Sequence, residues 1–245
     1  RHLIYADYKA TRDRMPDNLR SQIPLIHEMV EKMGFEIISI WWYEADDVIW
    51  TLATKLWKNI ENDVYILSWD KDLYSLTSSN VKIYDTMKQK IYDDIKAKEK
   101  FEVEAKYIID YLAICWDSAD NIPWIPWFWP KKAVELINKY WTVEEIYNHI
   151  NDDDFPFKNK TLQKFIDGEE FAILSKKLAT IELNVDLPWF DIENFRFNKN
   201  ILLNEEVKSF FRKYEFFSLI WETEIKNIKN ISDFNLETKN IDNLE

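Results

Sequence analysis

Two glycines in 245 residues, Gly34 and Gly168, leave this chain almost without the one residue that takes positive φ at no steric cost. A soluble domain of this length ordinarily carries about 17. The scarcity bears hardest on the stretch ADNIPWIPWFWPKKA, Ala119 to Ala133, which reads as a tight turn feeding a helix. In it Trp124, Trp127 and Trp129 alternate with prolines, and bulky indoles are poor turn residues. The chain holds 12 tryptophans, and Trp and Gly together make 14, close to the glycine content expected.

With 47% hydrophobic residues the chain can bury one sizeable core or two smaller ones. Its formal net charge of −12 argues against whole-surface attraction to nucleic acid but permits a local basic patch. The single cysteine, Cys115, lies in the apolar run YIIDYLAIC and reads as a buried thiol. No disulfide framework is possible, which suits a reducing compartment, and no run of 18 apolar residues suggests a membrane. The start at Arg1 rather than Met suggests a fragment.

Periodicity predicts a helix through Ile23, Ile26, Met29, Val30 and Met33, closed by Gly34. FEIISI, Phe35 to Ile40, reads as a strand, and YEADDVIWTLATKL as a turn and helix. DVYILS suits a buried parallel strand, and VKIYD and KIYDDI two shorter edge strands, so the first hundred residues read as α/β with a largely parallel sheet. Helices then follow at Glu102 to Ile114, Pro130 to Lys139, Val143 to His149, Thr161 to Ile181 and Glu205 to Lys213. The tail is polar and Asn-rich, like a linker.

Acidic residues gather at strand ends: Glu44, Asp46 and Asp47 in YEADD, Asp70 and Asp72 in WDKDL, with Asp117 and Asp120 in the loop WDSADN. Each cluster has a plain reading as helix N-terminal or capping acid. Ligands of open parallel sheets, however, bind outside the carboxyl ends of strands, and crowded carboxylates suit Mg²⁺ or Mn²⁺. His2, His27 and His149 are scattered, which disfavours zinc, and Asp152 to Asp154 read as solvated surface. A two-metal site clamping a phosphodiester is the chemistry such acids serve.

With these residues in hand the chain resembles the 5′-nuclease domain of bacterial DNA polymerase I, of the flap endonuclease family, from Arg1 to about Ile220. YADYKATRDRMPDNLRSQI is similar to the family's arch, and YEADD, DKDL and DSADNIP.IP.F.PKKA to its metal and helix-hairpin-helix motifs, in order. The resemblance implies a PIN-like α/β domain over residues 1–104 with the arch at 1–20, an all-α, SAM-like helix-hairpin-helix region over 105–225, and a linker over 226–245. It assigns Glu44, Asp46, Asp47, Asp70, Asp72, Asp117 and Asp120 to two Mg²⁺ or Mn²⁺, and Lys9 and Arg12 to catalysis. DNA contacts would come from Tyr8, Lys9, Arg12, Asn121, Trp124, Trp127, Trp129, Lys131 and Lys132, with K⁺ on the hairpin carbonyls.

Two departures stand out. An Asp-Gly strand and a Phe-Asp strand precede the arch in the family and are missing here, so the sheet should be incomplete and the chain as given a weak nuclease or none. The second is that Trp42, Trp50, Trp69, Trp116, Trp124, Trp127, Trp129 and Trp141 fall on family glycines; a gene with UGA codons read under the wrong table would show this. Trp41, Trp57, Trp189 and Trp221 are less decided. The expectation is a monomeric, cytoplasmic 5′-3′ exonuclease or flap endonuclease acting on flapped or nicked DNA and RNA primers, with a polymerase domain as a candidate C-terminal neighbour. The rival readings are a noncatalytic DNA-binding module and a PIN-type ribonuclease.

Overall fold

The structure is a computed structural model that describes residues 1–220 except 2, 60–62, 116–120, 123, 124, 126–128, 183, 197, 199, 200, 202 and 203, and except the side chains of 57–59 and 194. The expected metal ligands Asp117 and Asp120, the hairpin residues Trp124 and Trp127, and the polar tail lie outside these residues. The chain divides into two compact units, Arg1–Arg12 with Tyr43–Val185, and Asp13–Trp42 with Asp186–Glu245.

The first unit holds a sheet of β1 (Val64–Leu67), β2 (Val81–Asp85) and β3 (Lys90–Tyr92) in that order. β1 and β2 run parallel, Ile66 opposite Ile83, and β2 and β3 antiparallel, Ile83 opposite Tyr92, so the sheet is mixed. VKIYD alternates as the pleat demands, with Val81, Ile83 and Asp85 facing inward. Asp85 then closes the hairpin: its Oδ1 accepts from Met87 N–H at 3.1 Å and Lys88 N–H at 3.0 Å. Two strand readings need correction. DVYILS is parallel but half-buried: among the described residues β1 pairs with β2 alone, and Leu67 is 67% exposed. Phe35 to Ile40 forms no strand; an apolar run becomes one only where a partner edge accepts its backbone.

The helices follow the 3.6-residue period. α1 (Asp17–Arg20) and α2 (Ile23–Lys32) belong to the second unit, and α3 (Ala45–Asn59) leads into β1. α4 (Asp94–Phe101) starts on an Asp93 side chain that accepts Lys96 N–H and ends at Glu102 in the left-handed region. The helix expected from Glu102 thus begins later: a 3-10 turn at Ala105–Tyr107 precedes α5 (Ile108–Ile114). α6 (Pro130–Tyr140) and α7 (Val143–Asn148) follow. The long helix expected from Thr161 is two, α8 (Asn159–Asp167) and α9 (Glu169–Ala179), divided at Gly168, where a Cβ would meet Ile125 at 2.7 Å.

One continuous core joins sheet and helices of this unit. Ile66, Ile83, Leu73 and Tyr74 pack with Ile108, Leu112 and Ile114, and the cluster continues through Leu136, Ile137, Val143, Ile146, Phe155 and Phe165. Burying each of these large side chains contributes about 1.5–3 kcal/mol. Cys115 is buried in the same cluster as a free thiol, and burial pushes it up to about 11, as its apolar sequence context suggested. Asp110 on α5 is 5% exposed and accepts Val143 N–H at 2.8 Å, while Lys176 of α9 sits 2.7 Å from its Oδ1.

In the second unit Met29 and Met33 pack on Val207, Phe210, Phe211 and Ile220, placing α2 against α10 (Glu205–Lys213). Gly34 ends α2 at φ +80°, where a Cβ would meet Ile201 at 3.0 Å. No helix among the described residues is long and apolar enough to cross a membrane.

Candidate active site

The acidic stretch YEADD forms the mouth of α3. The Glu44 carbonyl accepts Asp47 N–H at 3.1 Å, and the Asp47 carboxylate reaches back to Glu44 N–H at 3.1 Å. That reciprocal pair is half of a capping box and starts the helix. Asp47, 3% exposed, has further partners: Arg1 Nη1 and Nη2 donate to its two oxygens at 3.1 and 2.9 Å, and Glu182 N–H donates to Oδ1 at 2.9 Å. Burial alone would raise this carboxyl, but the Arg1 and backbone hydrogen bonds outweigh it and hold it below the usual carboxylate range. Its oxygens are committed to structure.

Asp46, one residue earlier, is treated differently. Burial raises its carboxyl, and the charges of Asp70 and Glu44 add to this, to about 6, against the pull of Lys9 and Arg1. Asp70 follows the carboxyl end of β1: its N–H donates to Ser68 Oγ at 3.0 Å, and its own Oδ1 accepts Asp72 N–H at 3.1 Å. Asp72 opens a 3-10 turn, Asp72–Leu76, pinned by the buried Leu73 and Tyr74. The strand end and the helix mouth thereby bring Glu44, Asp46 and Asp70 into one electrostatic group.

The N-terminal segment closes on this group. Glu44 Oε2 lies 2.6 Å from Lys9 Nζ, accepts Tyr8 O–H at 3.3 Å and sits 3.5 Å from Arg1. Tyr8 is 3% exposed and packs with Ile122 and Leu178, while Arg12 is exposed and its N–H donates to Lys9 C=O at 3.1 Å. Asn121, at φ +51°, donates its side-chain amide to Asp7 C=O at 2.7 Å and so ties the hairpin region to the same segment. Trp129 caps α6, 64% exposed, with Lys131 and Lys132 in the first turn; Lys132 lies 5.5 Å from the Phe157 ring.

Among the described residues no three of His, Cys, Asp and Glu converge tightly enough to cage a metal ion. The donors present are nonetheless all carboxylate oxygens in mutual repulsion, a set that fits hard divalent cations. Asp152 to Asp154 are exposed as expected, with Asp154 2.7 Å from Lys139 and Asp152 2.8 Å from His149. Sequence reasoning missed Arg1 and Glu182, and no local pattern marks either one, because each meets Asp47 only across the fold.

Residues 1–102 match the family described as the 5′-3′ exonuclease N-terminal resolvase-like domain, and residues 103–201 the 5′-3′ exonuclease C-terminal SAM fold. A flap endonuclease Xni of Shewanella denitrificans is 34% identical over 199 residues, 81% of this chain and 76% of that protein. The chain belongs to the 5′-3′ exonuclease family. A 5′-3′ exonuclease of Buchnera aphidicola is 37% identical over 190 residues, 76% of this chain and 66% of that one. A DNA polymerase I of Caldicellulosiruptor bescii is 34% identical over 221 residues, 85% of this chain but 25% of the polymerase. This 5′-3′ exonuclease family member thus spans two thirds or less of the relatives it matches first. A T5 5′-exonuclease structure with bound zinc superimposes with a TM-score of 0.61 at 20% identity, over 86% of this chain and 77% of that one, and supports the PIN-like and SAM-like architecture.

Proposed function

We propose that the chain is the nuclease part of a metal-dependent 5′-3′ exonuclease and flap endonuclease, which hydrolyses phosphodiesters in flapped or nicked DNA and in RNA primers. The observation that carries this reading is the convergence of Glu44, Asp46 and Asp70 at the end of β1 and the mouth of α3, faced by Lys9. Glu44, Asp46, Asp70 and Asp72, with Asp117 and Asp120, would hold two Mg²⁺ or Mn²⁺. When bound, the ions supply the Lewis acidity and charge neutralisation that phosphodiester hydrolysis needs.

The chain's own residues do the rest. Asp47 holds the helix mouth and Arg1 in place, while Asp46 feels the charges of Asp70, Glu44, Lys9 and Arg1. Lys9 neutralises Glu44 in the structure and offsets charge developing on a phosphate, with Arg12 exposed beside it. Tyr8 is buried and orients Glu44, a positioning role rather than direct contact with nucleic acid. Lys131 and Lys132, at the N-terminal end of α6, present their charges and the positive end of the helix dipole to a duplex phosphate, with K⁺ on the neighbouring hairpin carbonyls. We place the division between nuclease and helical domains near residue 104, the helical part running to 225, which the family boundary at 102 and 103 supports. The protein acts as a cytoplasmic monomer, and its relation to DNA polymerase I makes a polymerase the candidate C-terminal neighbour.

The test is cleavage of a 5′-flap oligonucleotide by the full-length protein. Mg²⁺-dependent release of the flap, abolished by EDTA and by Asp70→Ala, is expected. Cleavage that persists in EDTA removes the metal reading, and flap binding without cleavage in Mg²⁺ favours a DNA-binding module instead.

A further inference from the structure

The link between α6 and α7 is one of the tightest in the molecule. α6 ends at Tyr140 and Thr142 already caps α7, its Oγ1 accepting Glu145 N–H at 3.3 Å, so Trp141 alone must turn the chain. It does so at φ +72° and ψ −55°, with Trp141 N–H donating to Ile137 C=O at 2.8 Å and Thr142 N–H to Tyr140 C=O at 2.9 Å. This is a three-residue γ-turn of positive φ, a rare and strained conformation and an outlier for a bulky side chain. The turn is imposed from outside: Leu136, Ile137, Val143 and Ile146 are fully buried and fix both helices. Gly34 performs the comparable task after α2, at φ +80°.

The other tryptophans tell the same story. Trp41 and Trp42 are 86% and 87% exposed, Trp69 68%, Trp129 64%, Trp141 57% and Trp189 49%, although Trp is highly buried on average. Trp50, on α3, is partly buried, and its indole N–H is buried without a partner, which is costly. Of the two glycines that the chain does carry, Gly34 takes φ +80° and Gly168 sits where a Cβ would meet Ile125 at 2.7 Å. Among the described residues, then, most tryptophans stand exposed and Trp141 occupies a turn of positive φ.

We infer that the native residue at Trp141, and with it at Trp42, Trp50, Trp69, Trp116, Trp124, Trp127 and Trp129, is glycine, encoded by UGA in a cell that reads this codon as glycine. The inference concerns the covalent identity of the chain and stands independently of the proposed activity. It restores glycine to the link between α6 and α7, where positive φ calls for it.

Two experiments decide it. The gene should show UGA at these eight positions, and the native tryptic peptide that begins at Tyr140 should have the mass expected for glycine as its second residue. UGG codons, or a peptide of tryptophan mass, overturn the inference and make the exposed indoles a real surface, for instance for stacking bases. In the chain as written, Trp141→Gly should raise the thermal midpoint by about 2–8 °C, since positive φ costs a non-glycine residue roughly 1–2 kcal/mol. An unchanged or lower midpoint overturns the positive-φ ground on which it rests.

Discussion

Arg1 grips Asp47 with two parallel hydrogen bonds, Nη1 to Oδ2 at 3.1 Å and Nη2 to Oδ1 at 2.9 Å, while the backbone N–H groups of Glu44 and Glu182 take the remaining lone pairs. Both side chains are largely buried, 14% and 5% exposed. Removing one partner strands the other, so Asp47→Ala should cost about 3 kcal/mol, read from urea unfolding. Because the Asp47 carboxyl is held below its unfolded value, its contribution is present above about pH 4 and is lost as pH falls through the folded value. Asp47→Asn should therefore flatten the acid limb of the stability curve; an unaltered limb would exclude the clamp.

Asp46 should behave in the opposite way. Burial, with the charges of Asp70 and Glu44 added, raises its carboxyl to about 6, and Lys9 and Arg1 offset only part of this. In EDTA, Asp46→Asn should gain roughly 1 kcal/mol after solvent screening. The same substitution should lower Mg²⁺-dependent flap cleavage by at least about 100-fold, the trade expected of a strained functional group. Unfolding in EDTA and single-turnover cleavage measure the two effects.

Lys131 and Lys132 stand in the first turn of α6, where the positive end of the helix dipole favours a phosphate. Replacing both with Ala should weaken duplex binding for every sequence and flatten log affinity against log salt by up to about two units. Binding titrations at several ionic strengths give the slope, and an unchanged slope places the phosphate contacts elsewhere.

Asp110 and Asp153 offer a contrast within the helical region. Asp110→Ala leaves the buried Val143 N–H without its acceptor and Lys176 with Glu144 alone, and should cost about 2 kcal/mol. Asp153 is exposed, and Asp153→Ala should change stability by less than about 0.5 kcal/mol. Thermal unfolding of the two variants side by side checks both.

The sequence by itself determined the helices whose apolar faces repeat every 3.6 residues, such as α6 and α10, the two short strands β2 and β3, and the placing of YEADD and DKDL at helix and strand ends. Those features are local, written in the spacing of neighbouring residues, and the motif order sufficed to reveal the family. Only the tertiary structure decided which acid does what. Asp46 and Asp47 are adjacent and chemically identical, yet one is saturated by Arg1 and Glu182 and the other is left facing Asp70. The same holds for Phe35 to Ile40, a strand by composition that pairs with no edge among the described residues, and for the helix from Thr161, which breaks at Gly168, where Ile125 leaves no room for a Cβ. Trp141 joins both halves: the scarcity of glycine was legible from the chain alone, but that this turn requires positive φ follows from the packing of α6 and α7, since long-range burial fixes where the two helices end.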